Sequence, residues 1–436
     1  MTLKNFLPVF LFFGIGLSVQ AQKLSVISQK ETTRLISTLS ADDMQGRATF
    51  TPGIEKAADF IQQEFRKTGL KPLADNSNPK DFRQTFKLYR LTPGIPQLEA
   101  DGEHFQAEAL FFNTSYQQLN WTNNNARIIV SIGEEQDFRE AFSKLNKLEE
   151  DALVLVHPVH QKLFEAYRHH FQGVGARQET NAGSSKVFVL TDKAAFASYS
   201  FSVTNQVEQL PLFNVAGMIE GKRKDEIVVF SGHYDHIGIL APVAGDSIAN
   251  GADDDASGTT AMMMLARYFA KQPKPERTLV FVAFTAEEIG GFGSRHFSEQ
   301  LNPDQIVAMF NIEMVGKPSK FGPNTAYLTG FDKSDLGSLL QKRLTGTPYA
   351  LHPDPYPEQN LFYRSDNATL ARLGVPAHTV SSVQIDQDKT YHTVHDEVEL
   401  LHMEHLTNMI RAIALAAQGV VNGQDTPSRI DKTLVR

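Results

Sequence analysis

The 436-residue chain contains no cysteine. Disulfides and thiolate metal ligands are both excluded, so any cation the protein holds must sit on His, Asp and Glu. Basic charge is also in short supply: 42 Lys and Arg stand against 50 Asp and Glu, a formal net charge of −8. Nucleic-acid binding driven by a basic surface is therefore not expected. Long apolar runs are missing beyond the N-terminal segment, so nothing further along reads as a membrane span. Hydrophobic residues make up 41% and charged ones 21%, the balance of a soluble globular protein, and the length suits one large domain or two ordinary ones.

The N-terminus has the form of a cleavable export signal. Lys4 supplies the positive charge, Phe6 to Val19 is almost wholly apolar, and Val19-Gln20-Ala21 closes it with small residues, so the mature chain is expected to begin at Gln22. The apolar core is short for a membrane span. Export without cysteine points to a bacterial periplasmic or secreted protein with no stable membrane anchor after cleavage.

Along the chain, Glu31 to Leu39 predicts a short helix. Ile54 to Thr68 predicts an amphipathic one, with Ile54, Ala57, Ala58, Ile61 and Phe65 on one stripe and Gly69 and Pro72 as stops. The loop SADDMQGRATFTPG separates them. From about Pro93 to Gln209 Asn, Gln and Thr become common. ARIIVSI, ALVLVHP and SKVFVLT predict strands there, and Phe138 to Leu148 a helix. His157, His160, His169 and His170 are scattered in this stretch without a ligand pattern. It reads as an inserted subdomain, the alternative being strands that extend the main sheet. From Pro211 strands and helices alternate strongly. NVAGMIEG and EIVVFSG are strands joined by GKRKD. Thr259 to Ala270, Gly293 to Leu301, Ser334 to Arg343 and Leu406 to Val421 are helices; ERTLVFVAF, IVAMFNI, TAYLTG and AHTVSSV are strands. PYALHPDPYPEQN is expected to be a loop at a site rim, and the tail after Gly423 to be loose. The alternation predicts an α/β domain with a mainly parallel sheet.

Residues that carry chemistry stand at the ends of the apolar runs, where open parallel sheets gather ligands. His233 directly follows EIVVFSG, and Asp235 can accept a hydrogen bond from its imidazole and fix the tautomer. His236 competes as a ligand but lies farther from the strand end. GADDDASG sets Asp253, Asp254 and Asp255 side by side. Alone, such a run reads as a solvated acidic loop. Beside His233 it suits a carboxylate bridging two cations, which at roughly 3.5–4 Å apart need an anion between them. Glu287 and Glu288 follow LVFVAFT. Adjacent residues at a strand end point different ways, so one can bind metal while the other takes a proton from water and passes it to a leaving amine. Glu313 follows VAMFNI, and His392 lies in DKTYHTVHDE beside Tyr391, whose phenol can donate to an oxyanion. Imidazoles and carboxylates without thiolates suit zinc, with manganese or cobalt as the other candidates.

The order of SGHYDH, GADDDASG, AEE, NIEM and YHTVHDE resembles the M28 family of zinc metallopeptidases, which includes the bacterial leucyl-type aminopeptidases. LSADDMQGRATFTPGIEKAADFIQQEFRKTGLKP resembles the N-terminal stretch of that family. The resemblance spans roughly Ile36 to Leu73 and Asn214 to about Ala417. It implies two zinc ions, with His233, Asp254, Glu288, Glu313 and His392 as ligands and Asp254 as the bridge. Glu287 is implied as general base, Asp235 as the acid orienting His233, and Tyr391 as the group assisting the tetrahedral intermediate. Glu313 stands where Asp is common and is one methylene longer. His395 is a rival to His392, and Asp396 is implied to stand behind the ligands. The implied fold is a phosphorylase/hydrolase-like α/β sandwich: a mixed, mostly parallel central sheet between helices, with an inserted subdomain that is protease-associated or lid-like in many members. The expected organisation is a signal over 1–21, a zinc peptidase domain from 22–92 and 210–425, an insert over 93–209 and a tail over 426–436.

The leading expectation is an exported dinuclear zinc exopeptidase removing N-terminal residues from peptides. A carboxypeptidase of the same family, which would need a cationic anchor such as Arg364, is one alternative. A glutaminyl-peptide cyclotransferase and a non-catalytic peptidase-like binding module are the others. Peptide is the expected partner, and nothing in the pattern specifies an oligomeric state.

Overall fold

The computed structural model describes residues 24–73, 81–125, 127–173 and 175–435. The export signal expected over 1–21 lies outside the described residues. Two compact units emerge: one from the residues up to Thr85 and from Leu212 onward, the other from Phe86–Pro211. The chain passes between them inside the strands Arg83–Thr92 and Gln206–Ile219.

The first unit is built on a mixed, mostly parallel sheet. Its helices are α1 (Gln29–Leu39), α2 (Pro52–Thr68), α3 (Gly258–Ala270), α4 (Phe292–Gln300), α5 (Leu336–Leu344), α6 (Asn367–Arg372) and α7 (Met403–Ala416). Its strands are β1 (Gln206–Ile219), β2 (Arg223–His233), β3 (Arg277–Phe284), β4 (Ile306–Ile312), β5 (Thr325–Leu328), β6 (Ala350–Pro353) and β7 (Ala377–Ser381), in the order β6-β5-β7-β4-β2-β3-β1. β7, β4, β2 and β3 run parallel, while β1 and β5 are antiparallel to their neighbours β3 and β7.

The parallel strands are apolar through their central stretches, where both faces are covered. Alternate residues divide between two cores. Val228, Phe230, Leu279, Phe281, Ala308 and Phe310 face α1, α2, α3, α5 and α7. Val229, Val280, Val282 and Met309 face the side covered by Phe297 of α4 and Leu370 of α6. On the first face Phe230 stacks between Phe281 and Phe310, with ring centroids 5.4 and 5.1 Å away.

Two glycines let β2 approach α3. A Cβ at Gly258 would lie 2.0 Å from the main-chain oxygen of Ile312, and one at Gly232 would lie 2.8 Å from the Gly258 carbonyl carbon. Any side chain at either place would force the strand end and the helix start apart.

The strands in NVAGMIEG and EIVVFSG follow one another through GKRKD, and β3 lies between them in the sheet. Two local expectations are corrected. Within the Pro-rich PYALHPDPYPEQN, Ala350–Pro353 is a strand that pairs with β5. It sits at the sheet edge, where a proline leaves no neighbouring strand short of a donor. The tail is not loose. Ile430 is 3% exposed and joins the core under α6, and its N–H donates to Gly374. Buried Arg277 donates to the main-chain oxygens of Val420 and Asp425 and to the hydroxyl of Thr426. One apolar residue and one buried arginine fasten a segment whose composition is polar.

The second unit holds two four-stranded sheets. One has the order Leu110–Asn113, Lys186–Leu190, Ala152–Val156, Ile128–Ile132; the other Glu103–Phe105, Gln97–Ala100, Tyr199–Thr204, Gln118–Thr122. Phe111, Phe138, Phe142, Phe164 and Phe188 form a core with the helices Phe138–Asn146 and Gln161–Phe171. Trp121, Leu153, Val187 and Phe201 form a second core between the sheets. His157 accepts the N–H of Val159, and the His160 ring lies 2.9 Å from the Gly133 oxygen, so both have local structural partners. No helix among the described residues is long and apolar enough to cross a membrane.

The docked tail gives a direct test. Ile430→Ala is expected to lower the unfolding free energy by about 2–5 kcal/mol, the usual cost of emptying a buried isoleucine site, measured by urea denaturation. A residue in a loose tail would cost less than about 0.5 kcal/mol.

Candidate metal centre

The carboxyl ends of β2, β3 and β4 deliver His233, the pair Glu287 and Glu288, and Glu313 to one edge of the sheet. The acidic loop before α3 and the loop before α7 complete the site. Two groups there have ligand atoms within 4.8 Å of one another: His233, Asp254 and Glu313, and His236, Asp254 and Glu288. Asp254 is common to both. His392 joins the second group, its Nε2 lying 3.2 Å from Asp254 Oδ2 and 3.0 Å from Glu288 Oε2. All five ligand residues expected from the sequence thus lie together, and so does His236, which the sequence reading had ranked second.

Hydrogen bonds assign the histidine nitrogens. His233 Nδ1 lies 3.1 Å from the main-chain oxygen of Asp235. A carbonyl only accepts, so Nδ1 carries a proton and Nε2 is the nitrogen left to face the site. Nε2 points at Asp254 Oδ1, 3.2 Å away. His236 Nδ1 lies 2.7 Å from Glu288 Oε1. Among the described residues, the Nε2 atoms of His233 and His236 and Oε2 of Glu313 are buried and find no hydrogen-bond partner. Buried lone pairs left open are costly, and a cation is what this donor set would satisfy.

The Asp235 expectation needs correcting in detail. Its carboxylate lies 3.8 Å from His233 Nδ1, too far for a hydrogen bond. It accepts the N–H groups of Glu287 at 3.1 Å and Glu288 at 3.3 Å instead. Asp235 orients the imidazole through its main chain and holds the Ala-Glu-Glu turn through its side chain.

The neighbouring acids serve as brackets. Asp255 accepts from the N–H of His233, Gly258 and Met314, joining the ends of β2 and β4 to the start of α3. Asp396 accepts from the N–H of Asp253 and Asp254. Tyr391 stacks on His392 with ring centroids 3.9 Å apart. His395, the rival to His392, is exposed and belongs to neither group.

The electrostatics follow burial and partners. Burial pushes Glu313 up to about 7 and Glu287 well above the ordinary glutamate value. Burial works the same way on Asp254, but the imidazoles of His233, His392 and His236 facing it outweigh burial and hold that carboxyl well below the usual range. His392 is pushed up to about 10 by its hydrogen bonds to Asp254 and Glu288. Burial raises the Tyr391 phenol, keeping it a donor.

Arg47 was not singled out from the sequence. It is fully buried and donates to four main-chain oxygens: Tyr234 at 2.8 Å, Leu39 at 2.8 Å, Asn250 at 2.6 Å and Gly251 at 2.9 Å. Its charge faces Asp254, Asp396, Asp235 and Asp255 from behind the site. The only local signal is the glycine in MQGRATF: Gln45, Gly46 and Arg47 all adopt left-handed backbone, with φ of 52°, 62° and 51°. Lys317, likewise passed over, reaches three of the acids around the site.

Residues 214–417 match the family model of peptidase family M28. Leucine aminopeptidase 1 of Ajellomyces capsulatus (strain H88) is 30% identical over 211 residues, covering 44% of this chain and 52% of that protein. Aminopeptidase YwaD of Bacillus subtilis is 25% identical over 251 residues, covering 53% of this chain and 49% of that protein. The chain therefore spans about half the length of the curated relatives it matches. Among solved structures, an aminopeptidase from Aneurinibacillus sp. strain AM-1 superposes with a TM-score of 0.54 at 21% identity, covering 96% of this chain and 98% of that one. A zinc aminopeptidase from Bacillus subtilis gives a TM-score of 0.53 at 18% identity, covering 94% and 99%. At these identities the likeness is one of fold.

Arg47→Met would take the guanidinium from all four oxygens, of which that of Gly251 would keep the Ala256 N–H. At about 1–3 kcal/mol per orphaned buried group, a loss of roughly 3 kcal/mol or more is expected, read as a lower urea midpoint at unchanged slope. A loss below about 0.5 kcal/mol would mean the guanidinium is not the clasp its hydrogen bonds describe.

Proposed function

We propose that this chain, whose residues 214–417 match the model of peptidase family M28, is an exported aminopeptidase of that family that uses two zinc ions to release the N-terminal residue of peptides. The observation that carries the reading is the pair of ligand groups sharing Asp254 at the carboxyl edge of the sheet. His233, Asp254 and Glu313 would hold one ion. Asp254, Glu288 and His392 would hold the other, with His236 steadying Glu288 through Oε1 and leaving Oε2 for the metal. Manganese or cobalt would suit the same donors. The first unit would be the peptidase domain and the second its insert. Export rests on the signal-like residues before Gln22.

Bound there, the ions supply Lewis acidity for the scissile carbonyl and lower the pKa of a water. The chain's own groups do the rest. Glu287 takes a proton from the attacking water and delivers it to the departing amine. A carboxyl raised by burial holds that proton between the two steps better than an exposed one would. Asp235 keeps the N–H groups of Glu287 and Glu288 fixed, so the two carboxylates keep separate tasks. The Tyr391 phenol, protonated and anchored by its stack on His392, donates to the oxyanion as it forms.

The substrate side chain has a place beside this centre. An open cleft runs from Glu313 and Tyr391 past Met314, Tyr327, Leu361 and Arg364. Arg364 in that lining supports a second reading, a carboxypeptidase whose anchor is this guanidinium.

The two readings separate on peptides blocked at one end. The aminopeptidase reading requires cleavage of free-amine dipeptides and none of N-blocked ones, with about two zincs per chain and full loss on chelation. Glu287→Gln should lower kcat about 100- to 10,000-fold with zinc content unchanged. Cleavage that depends on a free C-terminus and falls with Arg364→Met would replace it with the carboxypeptidase reading. Turnover that survives chelation would remove both.

A further inference from the structure

Lys317 stands four residues after Glu313, and its side chain is 19% exposed. Its Nζ donates to Asp388 Oδ2 at 2.6 Å and to the Thr390 hydroxyl at 2.7 Å. The same nitrogen lies 3.5 Å from Asp253 Oδ2 and 3.8 Å from Asp396 Oδ1. Those three carboxylates are 5%, 0% and 0% exposed, Asp253 Oδ2 has no hydrogen-bond partner among the described residues, and among them the ammonium is the countercharge within ion-pair distance.

What Lys317 joins matters more than its charge. On one side Asp388 Oδ1 accepts the N–H groups of Thr390 at 2.7 Å and Tyr391 at 3.2 Å, which sets the turn leading into His392. His392 itself adopts φ 57°, a left-handed backbone that a side chain disfavours and that its surroundings must enforce. On the other side Asp253 accepts the Gly316 N–H at 2.8 Å, and Asp396 accepts the Asp254 N–H at 2.9 Å. One ammonium therefore ties the turn bearing Tyr391 and His392 to the loop bearing Asp254.

We propose that Lys317 is a positioning residue that clamps the turn of His392 against the acidic loop and thereby sets cation affinity at the Asp254, Glu288 and His392 group, with little effect at the His233, Asp254 and Glu313 group. The proposal rests on the two-ion reading above. Its sign separates it from a plain charge effect. Removing a positive charge beside an acidic site strengthens binding of a divalent cation. Losing the position of a ligand weakens it.

The absence of native cysteine supplies a clean test. Lys317→Cys introduces the only thiol of the chain, and treating it with bromoethylamine rebuilds an ammonium at nearly the native length. Zinc affinity is read for each ion by competition with a chromophoric chelator, with no reference to turnover. The weaker-bound ion of Lys317→Cys should lose about 10- to 100-fold in affinity, the other should change less than about 3-fold, and aminoethylation should restore the first. Asp388→Asn opens the clamp from the other side and should weaken the same ion. The double variant should be no worse than the more affected single one. Should Lys317→Cys fail to fold, Asp388→Asn carries the decision alone. Two ions bound with unchanged or tighter affinity in the folded variants, or a loss that aminoethylation does not restore, would overturn the proposal. Wild-type protein that binds no second ion would instead overturn the two-ion reading on which it rests.

Discussion

Crowding of negative charge at one edge of a buried sheet is the constraint on which the rest of this site depends. Asp235, Asp253, Asp254, Asp255, Glu287, Glu288, Glu313 and Asp396 come together there. An uncompensated buried carboxylate costs several kcal/mol, so the fold must offset each one. It does so in distinct ways. Asp235, Asp255 and Asp396 accept main-chain N–H groups. Asp254 and Glu288 face imidazoles. Arg47 and Lys317 bring fixed positive charge from two directions. These offsets are incomplete: burial still raises the pKa values of Asp235, Asp253, Asp255 and Asp396 as it does those of Glu287 and Glu313, and this remaining acidity is what a proton or a cation has to satisfy.

The same offsets bind the site to the sheet. Asp255 takes donors from the ends of both β2 and β4, and Asp235 takes its donors from the turn after β3, so the ligand positions inherit the register of the strands. β2 aligns His233 with Phe284 of β3 and Ser231 with Asn311 of β4. Phe230, stacked between Phe281 and Phe310 one layer below, gives that register a packing basis. Close contact of Gly232 with Gly258 then brings Asp255 within reach of both strand ends. A slip of one residue along β2 would turn His233 to the other face and take from Asp255 one of its three main-chain donors.

This explains what the sequence could and could not disclose. Strand ends were legible because apolar runs are local and their last residues are fixed by counting. His233, Glu287, Glu288 and Glu313 were found that way. The Asp235 side chain was misdirected because its aim depends on the Glu287 and Glu288 amides, which arrive from another strand. His236 looked secondary because distance from a strand end says nothing of Glu288, which faces it across the site. Arg47 and Lys317 were invisible to periodicity. Their partners are carbonyls and acids contributed by segments far away in the chain, and a lone cation in a loop carries no pattern. The tail was misjudged for the complementary reason: its docking rests on Ile430 and on Arg277, not on its own composition.

The three consecutive acids carry this argument furthest. As sequence, Asp253, Asp254 and Asp255 are equivalent, and only resemblance to a family singles out the middle one. The structure supplies a physical criterion. Asp255 accepts three main-chain N–H groups, and Asp253 accepts one from Gly316 while facing Lys317. Among the described residues no amide donates to the carboxylate of Asp254; its partners are the imidazoles of His233, His236 and His392. Backbone amides hold a carboxylate but cannot be displaced without unfolding the loop, whereas an imidazole lone pair and a carboxylate can both turn to a cation between them. An acid passed over by every nearby amide is therefore the one free to bridge two ions, and the proposed role of Asp254 follows from what its neighbours have already taken.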